Sequence, residues 1–176
     1  RLKSEVIRIR GNIAQIQVYE MTDGIKCGDE VEFTGDMLSA QLGPGLLGQV
    51  YDGLQNPLPL LAEQAGWFLE RGVYVEALNS EKKWEFTPTA NTHDVVRAGE
   101  YIGTVPEGPF THKIFVPFYL LGNYTVKSIA EKGEYTVKET IAVLTDERGR
   151  EIPVSMSFKW PVKRAVKCSR VRVAPV

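Results

Sequence analysis

Apolar and polar residues alternate with period two along much of this chain, the mark of strands that bury one face. Ile7 and Ile9 alternate with Arg8 and Arg10, and Ala14, Ile16 and Val18 alternate with Gln15 and Gln17. Gly11-Asn12 between the two runs supplies a two-residue hairpin turn. Val31 and Phe33 form a further short run and Leu38, Ala40 and Leu42 another, with Asp23-Gly24 and Gly28-Asp29 as punctuation. Short strands between turns suit a small barrel or sandwich.

Between Pro59 and Gly72 the period changes, because Leu61, Ala65, Phe68 and Leu69 fall at helical spacing and Gly72 stands where a left-handed C-terminal cap is common. The spacing predicts one helix. Gly66 inside it costs about 1 kcal/mol against alanine, so the helix is expected to be short or bent. From Tyr74 to Phe158 the chain again reads as strands: Lys83 to Phe86, Tyr101 to Val105, Lys113 to Val116, Tyr124 to Ile129, Thr140 to Leu144 and Ile152 to Phe158. These form a second β domain.

The 176 residues are 43% hydrophobic, ordinary for a globular protein with a core. Charge is balanced at 21 basic against 22 acidic residues, so no long-range field draws the chain to nucleic acid or anionic lipid. The one basic cluster, Lys159, Lys163, Arg164, Lys167, Arg170 and Arg172, lacks interleaved aromatics beyond Trp160 and reads as a solvated face or tail. Cys27 and Cys168 are too far apart in sequence to suggest a disulfide framework or a metal knuckle, which fits a reducing compartment. No run of about eighteen apolar residues is present to span a bilayer.

Gly43, Gly45 and Gly48 satisfy the dinucleotide-binding spacing, and Gly43 with Gly48 frames a phosphate-binding loop. Both readings fail on chemistry. A phosphate loop of the Walker type needs Lys and then Ser or Thr after its last glycine, where this chain has Gln49 and Val50. A dinucleotide site needs a helix opening at that glycine, and Gly53, Asn56-Pro57 and Pro59 break it. The glycines and Pro44 are expected to shape a tight bend between two β segments.

Gly43-Pro44-Gly45-Leu46-Leu47-Gly48 followed by Tyr51-Asp52-Gly53-Leu54-Gln55-Asn56-Pro57-Leu58 closely resembles the signature of the catalytic subunit of V-type and archaeal-type rotary ATPases. Further blocks resemble the same family in the same order: Glu5 to Ile9, Ile16 to Glu20, Glu81 to Phe86, His112-Lys113-Ile114 with Val116-Pro117, Gly133 to Val137, and Trp160-Pro161-Val162. The resemblance runs from about Glu5 to about Lys167. It implies a fragment of that catalytic subunit, mainly β, with a partial N-terminal β-barrel over residues 1–41, a linking bend and short helix over 42–73, and a barrel-sandwich-like bulge domain over 74–158. Residues 159–176 would be the start of the nucleotide-binding domain or a tail, and Ser169 to Val176 depart from the family pattern. In the family the Walker lysine and catalytic glutamate follow the Trp-Pro-Val segment, so ATP and magnesium belong to the intact polypeptide. No catalytic, cofactor or metal residue is assigned within this stretch. The resemblance further implies contact with the other, non-catalytic subunits of the ATPase head in a hexameric crown and with the peripheral stalk, coupling of ATP hydrolysis or synthesis to proton or sodium transport, and a cytoplasmic location peripheral to the membrane.

A second reading treats Gly99 to Leu144 as a lipoyl- or biotin-carrier module. A carrier lysine must stand at a hairpin tip within an enzyme's reach, and Lys132 before Gly133 is the only candidate; Lys113 is expected on the face opposite His112 and Ile114. His93 and His112 are isolated in sequence and read as structural. Asp94, Asp146, Glu147 and Glu151 have no acid–base or metal spacing, and Trp67, Trp84 and Trp160 read as core or junction residues.

Overall fold

A computed structural model describes residues 2–66 and 72–166, so Trp67, Phe68, Leu69, Lys167, Cys168, Arg170, Arg172 and the stretch from Ser169 to Val176 lie outside the described residues. The strands are β1 Ser4–Arg10, β2 Ile13–Val18, β3 Ser39–Leu42, β4 Lys83–Pro88, β5 Val95–Arg97, β6 Tyr101–Glu107, β7 Phe110–Phe115, β8 Asn123–Ile129, β9 Gly133–Thr136, β10 Thr140–Thr145, β11 Glu151–Ser155 and β12 Phe158–Pro161, and the helix is α1 Leu58–Ala65. The chain is mainly β, with one short helix among the described residues.

Two four-stranded antiparallel sheets carry the core, one ordered β7-β6-β4-β9 and the other β11-β10-β8-β5. Trp84 and Phe86 of β4 alternate inward as the sequence pattern requires, and they pack in one cluster with Ile114 of β7, with Ile102 and Val105 of β6, three residues apart beside a register irregularity at Tyr101–Gly103, and with Val96, Val126, Leu144 and Val154 of the other sheet. Each such side chain contributes about 1.5–3 kcal/mol by leaving water. Gly103 lets the sheet close over Phe86, since a Cβ there would stand 2.1 Å from Phe86 Cε2. β3 and β12 form a separate pair, with Ala40 opposite Trp160.

β1 and β2 make the predicted hairpin, Arg10 opposite Ile13 across Gly11-Asn12. Its two faces are largely exposed, Ile9 at 70% and Ile13 at 73%. Polar contacts hold it to the rest of the chain. The Lys3 amide donates to the Tyr74 hydroxyl at 2.8 Å, that hydroxyl donates to Glu20, and Lys163 reaches Glu5 at 2.5 Å. Burial and the Glu20 hydrogen bond push the Tyr74 phenol up to about 12. Burial opposes ionisation of Glu20, but the Tyr74 hydroxyl and the Gly72 amide outweigh it and hold the carboxyl below its ordinary value.

Three expectations are corrected. Val31 and Phe33 form no strand, because a strand exists only with a hydrogen-bonded neighbour; the segment follows two local turns, Ile25 to Thr22 and Asp29 to Lys26, and leaves Phe33 70% exposed. The helix ends at Ala65 with Gly66 at φ 71, not at Gly72. Ile152 to Phe158 is two strands, since the Ser155 hydroxyl turns back onto the Ser157 carbonyl at 2.8 Å and the chain leaves β10 to pair with β3.

Candidate functional site

The glycine run leaves β3 and bends, as its composition predicts, and the helix starts only at Leu58. Gly45 has φ 107, a conformation side chains disfavour, and this turns its amide toward Glu107 at the end of β6. The Gly45 N–H donates to Glu107 Oε1 at 2.6 Å and the Leu47 N–H to the same oxygen at 3.3 Å. The second oxygen, Oε2, lies 2.7 Å from His112 Nδ1 on β7. Glu107 is only 6% exposed. Loop amides aimed at one anion are the device of a phosphate loop, and here two of them, from Gly45 and Leu47, meet the chain's own carboxylate.

The residues after the loop knit the bend together. Asp52 accepts from the Leu54 and Asn56 amides at 2.9 and 2.7 Å and from Asn56 Nδ2 at 2.7 Å. Asn56, 2% exposed, accepts at its Oδ1 from the Val75 amide at 3.0 Å. Gln55, at φ 63, caps β3 like a neighbouring strand: its Oε1 accepts from the Gln41 amide at 2.7 Å and its Nε2 donates to the Gln41 carbonyl at 2.8 Å. Tyr51 donates to the Ala77 carbonyl at 3.0 Å, and burial, helped by the Glu107 charge, raises its phenol above the ordinary value. The most distinctive stretch of the sequence is therefore a structural clasp.

The other candidates stay apart. His93 is exposed at φ 74 in a turn, its amide donating to the Val126 carbonyl at 2.8 Å. Cys27 is exposed and free. Asp94 accepts from the Asn91 amide, Asp146 from the Arg148 and Arg150 amides, and Glu151 pairs with Lys127, all turn or surface roles; Glu147 is exposed in a turn. Lys113 lies outward over the Tyr101 ring, as alternation predicts. Lys132 is not at a hairpin tip, because β8 and β9 belong to different sheets, and its ammonium is 2.9 Å from Glu85. Trp84 is in the core and Trp160 packs edge-on against Phe118. Among the described residues no group of three or more His, Cys, Asp or Glu is placed to hold a metal ion, and no helix is long and apolar enough to cross a membrane.

Sequence reasoning passed over Glu107. The signal was present: alternation along β6 puts Glu107 on the buried face of Val105, and a carboxylate that must be buried needs donors.

Residues 75–163, half of the chain, match the family model described as the barrel-sandwich domain of the ATP synthase alpha/beta subunit. The chain belongs to this ATP synthase alpha/beta family. Residues 1–35 match a second model of the family, its beta-barrel domain. The chain is 64% identical to the V-type ATP synthase alpha chain of Treponema denticola, 54% to the V-type ATP synthase alpha chain 1 of Treponema pallidum and 52% to the V-type ATP synthase alpha chain of Borreliella burgdorferi, each over 99% of this chain. It spans 30% of the length of those relatives. Within this family member the Gly43–Gly48 bend, which lies between the two matched stretches, meets the Glu107 carboxylate inside the second.

Proposed function

We propose that this chain is the N-terminal part of the catalytic subunit of a rotary V-type or archaeal-type ATPase, which couples ATP hydrolysis or synthesis to proton or sodium transport. Identity of 52–64% to V-type ATP synthase alpha chains over nearly the whole chain carries the reading. This stretch plays an architectural part: residues 1–41 contribute to a crown with the non-catalytic head subunits, residues 42–73 link, residues 74–158 meet the peripheral stalk, and residues 159–176 lead into the nucleotide-binding domain. It works on the cytoplasmic side, peripheral to the membrane. ATP and magnesium bind elsewhere in the full-length polypeptide, because the glycine loop that mimics a nucleotide site spends its amides on Glu107 and carries no lysine or hydroxyl for phosphate and metal.

The carrier reading loses its geometric support with Lys132 paired to Glu85 away from any hairpin tip. Calorimetric titration of ATP with and without magnesium, beside co-purification of the chain with the non-catalytic head subunits and stalk subunits of its own organism, tests the proposal. Complex formation without ATP binding is expected. Magnesium-dependent ATP binding by this chain, or failure to join either partner, would refute it.

A further inference from the structure

β4 and β6 begin as an antiparallel pair, Thr87 opposite Thr104 and Pro88 opposite Gly103. Continuing that register would set Glu85 against Pro106 and Trp84 against Glu107, but no pairing continues there. Pro106 has no N–H to donate, and the strands part around a groove of about 330 Å³ floored by Gly45 and rimmed by Leu47, which is 54% exposed. Over Lys83–Phe86 the opposite edge of β4 is paired with β9. The edge facing the groove has no strand, so alternate main-chain groups there point into it.

The charges in the groove are not balanced by one another. Glu107 is held by two loop amides and His112, and Glu85 by Lys132 at 2.9 Å. Lys82 and Lys83 line the same groove without an ion pair among the described residues, although the Thr136 amide, helped by the Lys83 charge, holds the Glu139 carboxyl down; the Lys82 ammonium sits 4.0 Å over the Trp84 ring. Beneath it, Trp84 Nε1 is a buried donor with no hydrogen-bond partner among the described residues. Buried donors of this kind cost stability until they meet an acceptor. The groove therefore offers a strand edge, an apolar rim and two cations outside any ion pair, above a buried donor that lacks an acceptor.

From this geometry we infer that the groove between β4 and β6 receives an extended acidic segment of a partner polypeptide, laid along the free edge of β4 with carboxylates on Lys82 and Lys83. Main-chain bonding supplies the docking and the lysines supply the preference for acidic sequence. The inference deepens the assembly reading by naming the chemistry of one partner segment. Its failure leaves co-purification with the head and stalk subunits unaffected.

The test is a titration of the 15N-labelled 176-residue chain with an N-acetylated, C-amidated hexapeptide alternating glutamate and valine. The Trp84 indole N–H resonance and the Lys83 and Glu85 amides should shift together and saturate. Lys82→Ala with Lys83→Ala should weaken binding about tenfold, as the loss of two exposed ion pairs allows, whereas Lys127→Ala on the other sheet should leave it unchanged. Absence of a Trp84 shift at millimolar peptide overturns the inference. So does equal binding of the same peptide with lysine for glutamate, which removes the preference for acidic sequence, or the same saturating shifts with inorganic phosphate alone, which makes the groove a small-anion site.

Discussion

Replacing Glu107 by alanine should unfasten the glycine loop from the β6–β7 hairpin. The carboxylate is 7% exposed at its side chain and carries three contacts: the Gly45 amide at 2.6 Å, the Leu47 amide at 3.3 Å and His112 Nδ1 at 2.7 Å. The short bond from the Gly45 amide is a charge-assisted one, worth about 1.5–3 kcal/mol. The longer bond from Leu47 belongs near the bottom of the neutral range, about 0.5 kcal/mol, because that residue is exposed and water can replace the acceptor. His112, 24% exposed, can also turn to water and adds little. The expected loss is about 2–4 kcal/mol, once the cavity left by the missing side chain is included.

Glu107→Gln keeps an acceptor oxygen and the side-chain volume but removes the charge, so about 1–2 kcal/mol should be lost. Urea unfolding measures both variants, with the midpoint moving and the slope unchanged if only native contacts are altered. Amide exchange adds a local readout: Gly45 should exchange much faster in Glu107→Ala, while amides in β10 keep their relative protection. A Glu107→Ala protein within about 0.5 kcal/mol of the parent, the scatter of ordinary surface substitutions, with Gly45 exchange unchanged, would show that the loop holds its shape by itself.

Three other outcomes are expected. Gly103→Ala places a Cβ 2.1 Å from Phe86 Cε2 and 3.0 Å from the Thr87 carbonyl oxygen; overpacking should cost about 1–3 kcal/mol, and Phe86→Leu in the same chain should recover part of it in a double-mutant cycle, whereas strictly additive losses would refute the steric account. Gln55→Ala removes both bonds to the Gln41 backbone and leaves φ 63 to a residue that disfavours it, so about 1–3 kcal/mol should be lost and the Gln41 amide should exchange faster; unchanged exchange would exclude the strand-mimic role. The Tyr74–Glu20 contact should stabilise the fold between the two titrations and lose that stability at both ends of the pH scale: the Tyr74 pKa is raised, so its share is complete below the ordinary value near 10 and is lost as pH climbs towards about 12, while the Glu20 pKa is lowered, so its share is present above the ordinary carboxylate value and is lost as pH falls through the folded one. Ultraviolet titration should show the tyrosine that ionises last moving down in Glu20→Gln while Tyr19, Tyr51 and Tyr119, also raised, stay in place; an unchanged titration would refute the contact.

Six of the eight sandwich strands were legible from period two, whereas β5 (Val95–Arg97) and β9 (Gly133–Thr136) are too short to show it. Trp84, Phe86, Val105, Ile114 and Val126 could be assigned inward from alternation alone, and all five are buried. Val31 and Phe33 carry the same alternation and form no strand, since a pattern states which face a strand would bury and not whether a neighbour exists to bond it. The helix was legible in its beginning, where Pro57 and Pro59 fix the first turn, and less so in its end, where Gly66 takes positive φ six residues before the glycine expected to do so. The break between β11 and β12 depends on Ser157 being more useful to Ser155 and Val137 than to a ladder, a tertiary choice with no local sign.

The glycine loop shows why a motif must be judged on what satisfies its donors. The sequence predicts only a tight bend between Gly43 and Gly48, and within that bend the Gly45 and Leu47 amides face an anion that spacing does not disclose. A free phosphate at such a loop brings at least two charges, and without a lysine or a metal the loop amides alone would leave them largely uncompensated. A single carboxylate asks for less. Glu107 brings one charge on a rigid strand end, already oriented by its hairpin and by His112, so little entropy is lost in placing it. The same backbone geometry that would bind a nucleotide weakly thus holds an internal side chain well, and it fastens the chain emerging from β3 to the sheet that contains β6.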